Sequence, residues 1–333
     1  MSLGEGATPL IHAKRLGAAL GFNNLWLKDE SRNPTGSFID RGSTVLVSLA
    51  KERGVGNIAC TTTGNLGALL AAYCAKAGMG IETRIPPNTD HRKLYQTIAY
   101  GARVEIISKV FSDIDSELHN GALPITTANP FILEGEKTTV FEIIQDLDRE
   151  EPDAIVVPVW TGGHLTMIWR GIQQLQAADL VVRHEVHSPC RLIGVQLQAS
   201  APIVDFLQLE KERSSRNIVI EKPFTELKES EPIFKKTAAR AIRSSKGAGV
   251  EVSTKEAIQA TSLLARSEGI FAEPASASVV ASLKQLRENE LLDRDDRNSM
   301  RDNGIRTYTK TIAKIATTPK AHRLERGKDD QTC

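Results

Sequence analysis

Short strand-like segments alternate with helical ones along most of the chain, and this alternation restricts the fold more than any other feature. Six segments are rich in valine, isoleucine and other residues that favour strands: 25–28, 57–61, 81–85, 104–108, 154–159 and 192–196. Between them, apolar residues recur with the 3.6-residue period of a helix in segments such as 45–53, 66–77 and 165–175. This pattern is typical of parallel sheets that helices cover on both faces.

The length of 333 residues favours two lobes, because a single hydrophobic core seldom grows past about 250 to 300 residues. We expect an α/β protein of two three-layer α/β/α lobes with mostly parallel sheets. The larger lobe would comprise residues 1–53 and 131–333, and a smaller, mobile lobe would comprise residues 54–130. The division is drawn so that the loops after residues 61 and 159 face each other across a cleft.

The composition shows no strong electrostatic bias. Charged residues make up 25% of the chain and nearly cancel to a formal net charge of +1, so we expect neither a nucleic-acid partner nor a membrane partner. The four cysteines, Cys60, Cys74, Cys190 and Cys333, lie far apart without a CxxC spacing, which favours neither a disulfide framework nor a metal site. Without a long apolar run or a secretory leader pattern, the chain is predicted to be cytoplasmic.

Two segments interrupt the alternation of strands and helices. Residues 209–231 are charged and rich in turn-forming residues, which predicts a solvent-facing excursion. Residues 293–303 lie where one more buried strand would be expected, yet Met300 is their only large apolar residue. This second segment is therefore predicted to be a loop.

Four loops at strand-to-helix junctions are the candidate ligand-binding segments, because open α/β sheets bind ligands there. They are residues 33–42, 61–67, 159–165 and 268–277. The second and third place small hydroxyl residues or paired glycines in front of a helix, where backbone N–H groups and the helix dipole attract an anion. A turn or a helix cap also explains each loop on its own. By the same local reasoning, His164 is more often a hydrogen-bonded loop residue than a catalyst.

Taken together, these loops and several further motifs resemble one family. The matching segments are residues 4–10, 27–30, 33–42, 63–65, 94–102 (LYQTIAYGA), 134–138 (EGEKT), 162–163 and 268–277 (EGIFAEPASA). Up to about residue 283, the chain resembles threonine synthase, a fold-type II pyridoxal-phosphate (PLP) enzyme with the architecture of the tryptophan synthase β-subunit. The resemblance implies a lyase of amino-acid biosynthesis that converts O-phosphohomoserine to threonine and phosphate on a PLP cofactor.

The residue that would carry the cofactor differs from the family pattern. In the family motif G-S-F-K-D-R-G the lysine forms the Schiff base with PLP, and here Ile39 stands at that position. The chain therefore has no predicted catalytic residue. The resemblance assigns cofactor contacts to Asn65, Thr161, Gly162, Gly163 and His164. It assigns substrate contacts to Thr63, Gly64, Leu66, Thr126 and Thr127.

Several neighbouring positions also depart from the family. Trp160 and Thr161 replace the first two residues of the phosphate loop, so an indole is expected to narrow the phosphate cradle unless it points away. Leu66 replaces a threonine that faces the substrate, and Ile132 replaces an arginine that pairs with the substrate phosphate. The family's C-terminal strand and its T-G-x-G-L motif are recognisable only as residues 303–305 (NGI).

Three interpretations therefore stay open. The first is a threonine synthase homologue whose catalysis is lost or impaired and which binds a small anion or an amino acid. The second is an active PLP-dependent lyase that uses another amine, for which Lys28, Lys93 and Lys137 are candidates because they lie in motif segments. The third is that Ile39 results from an alteration of the sequence. Under the first two, the partner is a small amino acid or phosphate-bearing ligand, and the resemblance implies a homodimer.

Overall fold

Two sheets of mostly parallel strands organise the protein. The computed structural model of the chain describes residues 1–62, 65–85, 91–107, 121–181, 190–216, 232–292 and 311–315. In chain order, its strands are β1 (Leu10–His12), β2 (Leu25–Asp29), β3 (Asn57–Thr61), β4 (Gly80–Ile85), β5 (Arg103–Ile106), β6 (Leu123–Ile125), β7 (Ala154–Pro158), β8 (Arg191–Leu197), β9 (Ala248–Val252) and β10 (Thr311–Ile315). The larger sheet has the order β1-β2-β10-β7-β8-β9, and the smaller has the order β5-β4-β3-β6. Only β1 pairs in an antiparallel manner among these described strands.

Helices connect the parallel strands, as crossovers between parallel neighbours require. In chain order they are α1 (Lys14–Leu20), α2 (Asp40–Glu52), α3 (Asn65–Ala77), α4 (His91–Ala99), α5 (Pro130–Glu136), α6 (Thr138–Asp146), α7 (Gly163–Ala177), α8 (Pro202–Arg216), α9 (Lys235–Ser244), α10 (Thr254–Glu268) and α11 (Pro274–Glu288). Local sequence sets several of their ends. A capping box of Ser253 and Glu256 begins α10, and Gly269 in the left-handed conformation ends it.

The larger sheet is buried on both faces, as its continuous apolar strands predict. Successive strand residues point to opposite faces. Ala154 and Val156 of β7 belong to a hydrophobic cluster with residues of α1, α10 and α11. Ile155 and Val157 belong to a second cluster with residues of α6, α7 and α9. Helices therefore cover both faces of this sheet, and none of the helices within the described ranges is both long and apolar enough to cross a membrane.

A third hydrophobic cluster, the small-sheet cluster, joins the smaller sheet to α2, α3 and α5. It contains Ile58 of β3 and most apolar residues of α3, together with Leu46 and Val47 of α2 and Ile132 of α5. The division of the chain at residues 54 and 130 stays a prediction. The helix α2 and all of α5 except its first residue lie outside residues 54–130 in sequence but share this cluster.

The helices α2 and α5 cross at two glycines. A Cβ atom at Gly42 would lie 2.3 Å from the carbonyl oxygen of Ile132, and one at Gly135 would lie 2.1 Å from the carbonyl oxygen of Arg41. Only glycine allows the two backbones to approach this closely. The crossing fixes the first turn of α2, and with it the loop of residues 33–39, against α5.

The predicted fold class is confirmed, and each predicted strand and helix corresponds to an observed one. The segment predicted as a solvent-facing excursion, residues 209–231, begins within α8, which continues to Arg216; residues 217–231 and 293–303 lie outside the described residues. A strand that the pattern did not identify, β10, lies after residues 293–303 in the chain and pairs with β2 and β7.

Candidate functional site

Three of the four candidate loops follow the carboxyl end of a parallel strand. The prediction is wrong for the fourth, residues 268–277, which join the helices α10 and α11. Thr62 follows β3 before α3 begins at Asn65, residue 159 follows β7, and the loop of residues 33–39 follows β2 after a short 3-10 turn. Cys60 pairs with Ile125, so Thr126 and Thr127 leave β6 at the same end of the smaller sheet as Asn65. Thr63 and Gly64, two predicted substrate contacts, lie outside the described residues.

Ile39 occupies the turn immediately before α2 and makes apolar contacts there. Its backbone is already close to helical, with φ −69° and ψ −17°. The side chain is partly buried and packs against the small-sheet cluster, while the backbone carbonyl accepts a hydrogen bond from the Ser43 hydroxyl at 3.1 Å. The side chain at the position that the motif assigns to lysine therefore makes hydrophobic contacts with the cluster of the smaller sheet.

The adjacent Asp40 holds the turn together. Its carboxylate is fully buried and accepts hydrogen bonds from the backbone N–H and the hydroxyl of Thr35, both at 2.9 Å. Burial raises the pKa of Asp40 to about 6, because it outweighs the hydrogen bonds from Thr35 and Ser37 and is assisted by the charge of Glu5. The geometry of this loop therefore depends on Asp40 and not on an amine at residue 39.

Arg41 anchors α2 through buried charges. Its guanidinium donates to Glu30 at 2.7 and 2.8 Å, to Glu142 at 2.7 Å and to the Thr8 hydroxyl at 3.0 Å. Burial alone would raise the pKa of Glu142, but the hydrogen bonds and charges of Arg41 and Lys28 lower it to about 2. The aspartate and arginine of the G-S-F-x-D-R-G motif therefore have structural contacts of their own. These contacts do not depend on which residue stands between Phe38 and Asp40.

The two described lysines that could replace the missing amine are held in ion pairs. Lys28 is fully buried, and its Nζ donates to the Thr8 carbonyl at 2.6 Å and to Asp146 at 3.0 Å. The Nζ of Lys137 pairs with Glu134. An ammonium group held in this way has no free lone pair with which to attack a carbonyl carbon. The side chain of Lys93 lies outside the described residues.

The loop before α7 uses its backbone groups within the protein. The N–H of Gly163 donates to the Thr161 hydroxyl at 3.4 Å, and the Thr161 carbonyl accepts from the N–H of Phe234 at 3.1 Å. Gly162 has a φ of +87°, which favours glycine, and a Cβ atom there would lie 2.9 Å from that of Ala238. Packing of Gly162 against α9 and of Gly163 against Leu133 of α5 therefore accounts for the two glycines. Trp160 is 81% exposed, so the indole points away and does not narrow the loop.

His164 joins the first and third candidate loops. Its ring lies 4.5 Å from the ring of Phe38, centre to centre, and its Nδ1 is 3.4 Å from a carboxylate oxygen of Glu136. Both His164 and Glu136 are buried. Glu136 belongs to the EGEKT motif at residues 134–138, but local reasoning gave no sign that it faces the histidine, because the contact joins different helices.

The remaining predicted contacts flank the smaller sheet. Asn65 is the first residue of α3, whereas Leu66 is 4% exposed and belongs to the small-sheet cluster. The Thr126 hydroxyl accepts a hydrogen bond from the N–H of Ala128 at 3.2 Å, within the turn that leads to α5. Ile132 is fully buried. The ligand contacts predicted for Asn65, Leu66, Thr126 and Thr127 stay predictions.

These residues do not fit a PLP cofactor attached through lysine. Residue 39 offers a hydrocarbon side chain, and the described motif lysines, Lys28 and Lys137, are ion-paired. What the described residues bring together is a buried pair of side chains, His164 and Glu136, beside Phe38.

Comparison with known proteins relates the sequence to PLP enzymes. The family model described as "Pyridoxal-phosphate dependent enzyme" matches residues 1–298. A threonine synthase of Methanocaldococcus jannaschii is 37% identical over 306 residues, which cover 89% of this chain and 74% of that protein. A threonine synthase of Methanosarcina acetivorans is 35% identical and covers 89% of this chain and 73% of that protein.

Solved structures show the same fold at lower identity. Threonine deaminase isoform 2 from Solanum lycopersicum aligns with a TM-score of 0.68 and 17% identity, over 94% of this chain and 84% of that one. A PLP-dependent aspartate racemase aligns with a TM-score of 0.69 and 17% identity, over 94% and 90% of the two chains. Both confirm the fold-type II architecture.

Proposed function

Because the chain belongs to the family of pyridoxal-phosphate dependent enzymes, we propose that it is a threonine synthase homologue that has lost the lysine attachment of the cofactor and now binds a small ligand without the family's lyase reaction. The observation that carries this proposal is the packing of Ile39. Its side chain belongs with the small-sheet cluster and offers neither a nucleophile nor a proton.

Several neighbouring features support a changed site. Leu66 is buried in the same cluster in which Ile39 packs, so two positions that are polar in the family are apolar here and contact one hydrophobic cluster. Ile132 is also fully buried, and an isoleucine cannot form the bidentate contact with phosphate that an arginine makes.

The proposed ligand is a small amino acid or another compound with a carboxylate or phosphate group. Asn65, Thr161, Gly162, Gly163 and His164 would hold its anionic end, with Thr126 and Thr127 nearby on the smaller sheet. The N-terminal ends of α3 and α7 offer positive dipole ends to such a group, and His164 adds a positive charge when it is protonated. Cytoplasmic location belongs to the same proposal.

The alternative, an active lyase with another amine, is not favoured by the described residues. Lys28 and Lys137 are both ion-paired. Release of phosphate from O-phosphohomoserine by the unaltered protein, together with an absorbance band shifted to longer wavelength than that of free PLP, would contradict the proposed loss of catalysis.

The substitution Ile39→Lys tests how far the site has changed. We expect PLP titration of this variant to give no absorbance band at longer wavelength than that of free PLP, because the substrate positions Leu66 and Ile132 have changed together with residue 39. We also expect the variant to be less stable by about 1 to 3 kcal/mol, since a lysine is placed against an apolar cluster. Absorbance spectra and urea unfolding measure the two effects.

The matched control for that experiment is Ile39→Met. Methionine is unbranched and similar in reach to lysine but has no amine, so it separates the change of shape from the change of chemistry. Stoichiometric binding and a longer-wavelength band in Ile39→Lys, absent from Ile39→Met, would show that the remaining site still accepts the cofactor and that the loss concerns one residue only.

A further inference from the structure

His164 and Glu136 form a buried pair of ionisable side chains between α7 and α5. His164 lies in the first turn of α7, and Glu136 is the last residue of α5. The Nδ1 atom of His164 is 3.4 Å from a carboxylate oxygen of Glu136, and the two side chains are 8% and 4% exposed. A Cβ atom at Gly163 would lie 2.9 Å from the Leu133 side chain of α5, so the two helices pack closely here. Packing therefore fixes the contact between the two side chains.

The burial of Glu136 requires either a proton on its carboxylate or a cation beside it, because an unpaired buried charge is costly. If one proton lies on Glu136, both groups are neutral; if it lies on His164, the two form an ion pair. The ordinary pKa of histidine is about 6.5 and that of glutamate about 4.3, so an imidazole holds a proton about a hundredfold more strongly. The attraction between opposite charges at 3.4 Å offsets part of the cost of burying them. The proton is therefore favoured on His164.

Phe38 also favours the charged form of His164. The centres of the two rings are 4.5 Å apart, and the rings are tilted by 56°, within the distance at which an aromatic ring attracts a cation. The positive end of the α7 dipole opposes a charge on His164, but this effect is small and falls off within one turn. A carboxylate and an aromatic ring together outweigh it. Because Phe38 precedes Ile39, the charge lies beside the loop that carries the altered position.

Other charged side chains near α7 have partners of their own. Glu134 of α5 pairs with Lys137 and lies 3.8 Å from Arg170. On α9, which also packs against α7, the Nζ of Lys235 lies 5.3 Å from the centre of the Phe206 ring. The remaining charged groups on the elements around His164 pair elsewhere or are exposed: Asp40, Arg41, Glu142, Asp146, Arg191, Lys236, Arg240 and Arg243.

We propose that Glu136 is a positioning residue that keeps His164 protonated at neutral pH, so that the pair consists of a carboxylate and an imidazolium. For the anionic ligand proposed above, on which only this consequence rests, the proton decides the charge beside α7. With the proton, the pair is neutral overall. Without it, the buried Glu136 carboxylate leaves a net negative charge that repels an anion. Anion binding should therefore weaken as the pH rises and His164 loses its proton.

Nitrogen NMR of the His164 ring tests the protonation state on the full chain without any ligand. An imidazolium gives similar ¹⁵N shifts for its two ring nitrogens, whereas a neutral ring gives two widely separated shifts. The His164 signal is the one that disappears in His164→Asn. At about pH 7.5 we expect at least as much imidazolium as neutral ring, a ratio about tenfold or more above that of a histidine with the ordinary pKa. A neutral His164 ring at that pH would overturn the proposal.

Two matched variants assign the protonation to Glu136. Glu136→Gln keeps the shape of the side chain and removes the charge, so the ratio of imidazolium to neutral ring should fall about tenfold or more. The control is Glu134→Gln on the same helix, whose carboxylate is 42% exposed and should change the ratio less than about twofold. An unchanged ratio in Glu136→Gln would overturn the role of Glu136. If that variant does not fold, the measurement on the unaltered chain still decides the proposal.

Calorimetric titration with sulfate, an anion that does not itself titrate in this range, separates this inference from the proposed ligand. We expect sulfate to bind the unaltered protein about fivefold or more tightly at pH 6.5 than at pH 9, the lower end of typical coupling between two sites. Equal binding at both pH values would overturn the effect of the proton on the ligand. The absence of sulfate binding at either pH would contradict the proposed anionic ligand, while the NMR result alone decides the protonation of His164.

Discussion

At the scale of single residues, Glu142 carries more of the fold than its position on α6 suggests. It accepts the N–H groups of Ala7 and Thr8 and pairs with Arg41 and Lys28. One carboxylate thereby joins residues 7 and 8 near the N-terminus to β2, α2 and α6. Burial of two cations is tolerated because the negative charge lies between them; a buried charge without its partner is costly.

The substitution Glu142→Gln is expected to lower the free energy of unfolding and to make it depend less on pH in the acid range. The pKa of Glu142 is lowered to about 2, so its contribution is present above about pH 4.5 and is lost as the pH falls toward 2. With screening at a side chain that is 21% exposed, the loss at neutral pH should be about 1 to 3 kcal/mol.

Urea unfolding at several pH values measures both effects of Glu142→Gln. Lys284→Ala is a suitable control, because the side chains of Lys284 and its ion-pair partner Glu288 are 70% and 56% exposed; the loss of this surface pair should cost less than about 1 kcal/mol. If the stability of Glu142→Gln and that of the unaltered chain fell equally as the pH was lowered, Glu142 would not be the group that titrates.

At the scale of secondary-structure elements, the crossing of α2 and α5 decides where residue 39 lies. The substitution Gly42→Ala improves helix propensity by about 1 kcal/mol, but its methyl group would meet the backbone of Ile132 at 2.3 to 2.8 Å. Backbone cannot move aside as a side chain can, so we expect a net destabilisation of at least about 2 kcal/mol in thermal or urea unfolding.

The control for Gly42→Ala is Gly56→Ala. No atom lies within 4 Å of a Cβ built at Gly56, and its φ is not positive, so this change should alter stability by less than about 0.5 kcal/mol. If Gly42→Ala destabilised the protein no more than the control does, the close approach of α2 and α5 would not be a determinant of the fold.

At the scale of the whole molecule, we expect a homodimer, which rests on the resemblance to threonine synthases and on fold analogy alone. Light scattering at micromolar concentration should give twice the mass of one chain. A mass of one chain at that concentration would count against the dimer, and the fold and ligand proposals would be unaffected.

The alternation of strand and helix determined the architecture, because parallel strands buried on both faces must be apolar along their whole length. It located β2, β3, β4, β7 and β8 closely, whereas β1 and β6 have only three residues each, too few to show a period. β10 also escaped the pattern, because its place between β2 and β7 is set by pairing with strands far away in the sequence.

At the candidate site, too, local sequence determined some features and tertiary contacts determined others. Sequence alone identified the loops, the glycines before α7 and the isoleucine in place of lysine, since turn and motif residues are local signals. Tertiary structure decided that Trp160 points to solvent, that His164 meets Glu136 and Phe38, and that Lys28 is held in ion pairs. Each of these depends on contacts between elements distant in the chain, and the direction of a side chain across such a contact is fixed by packing and charge, which local sequence does not encode.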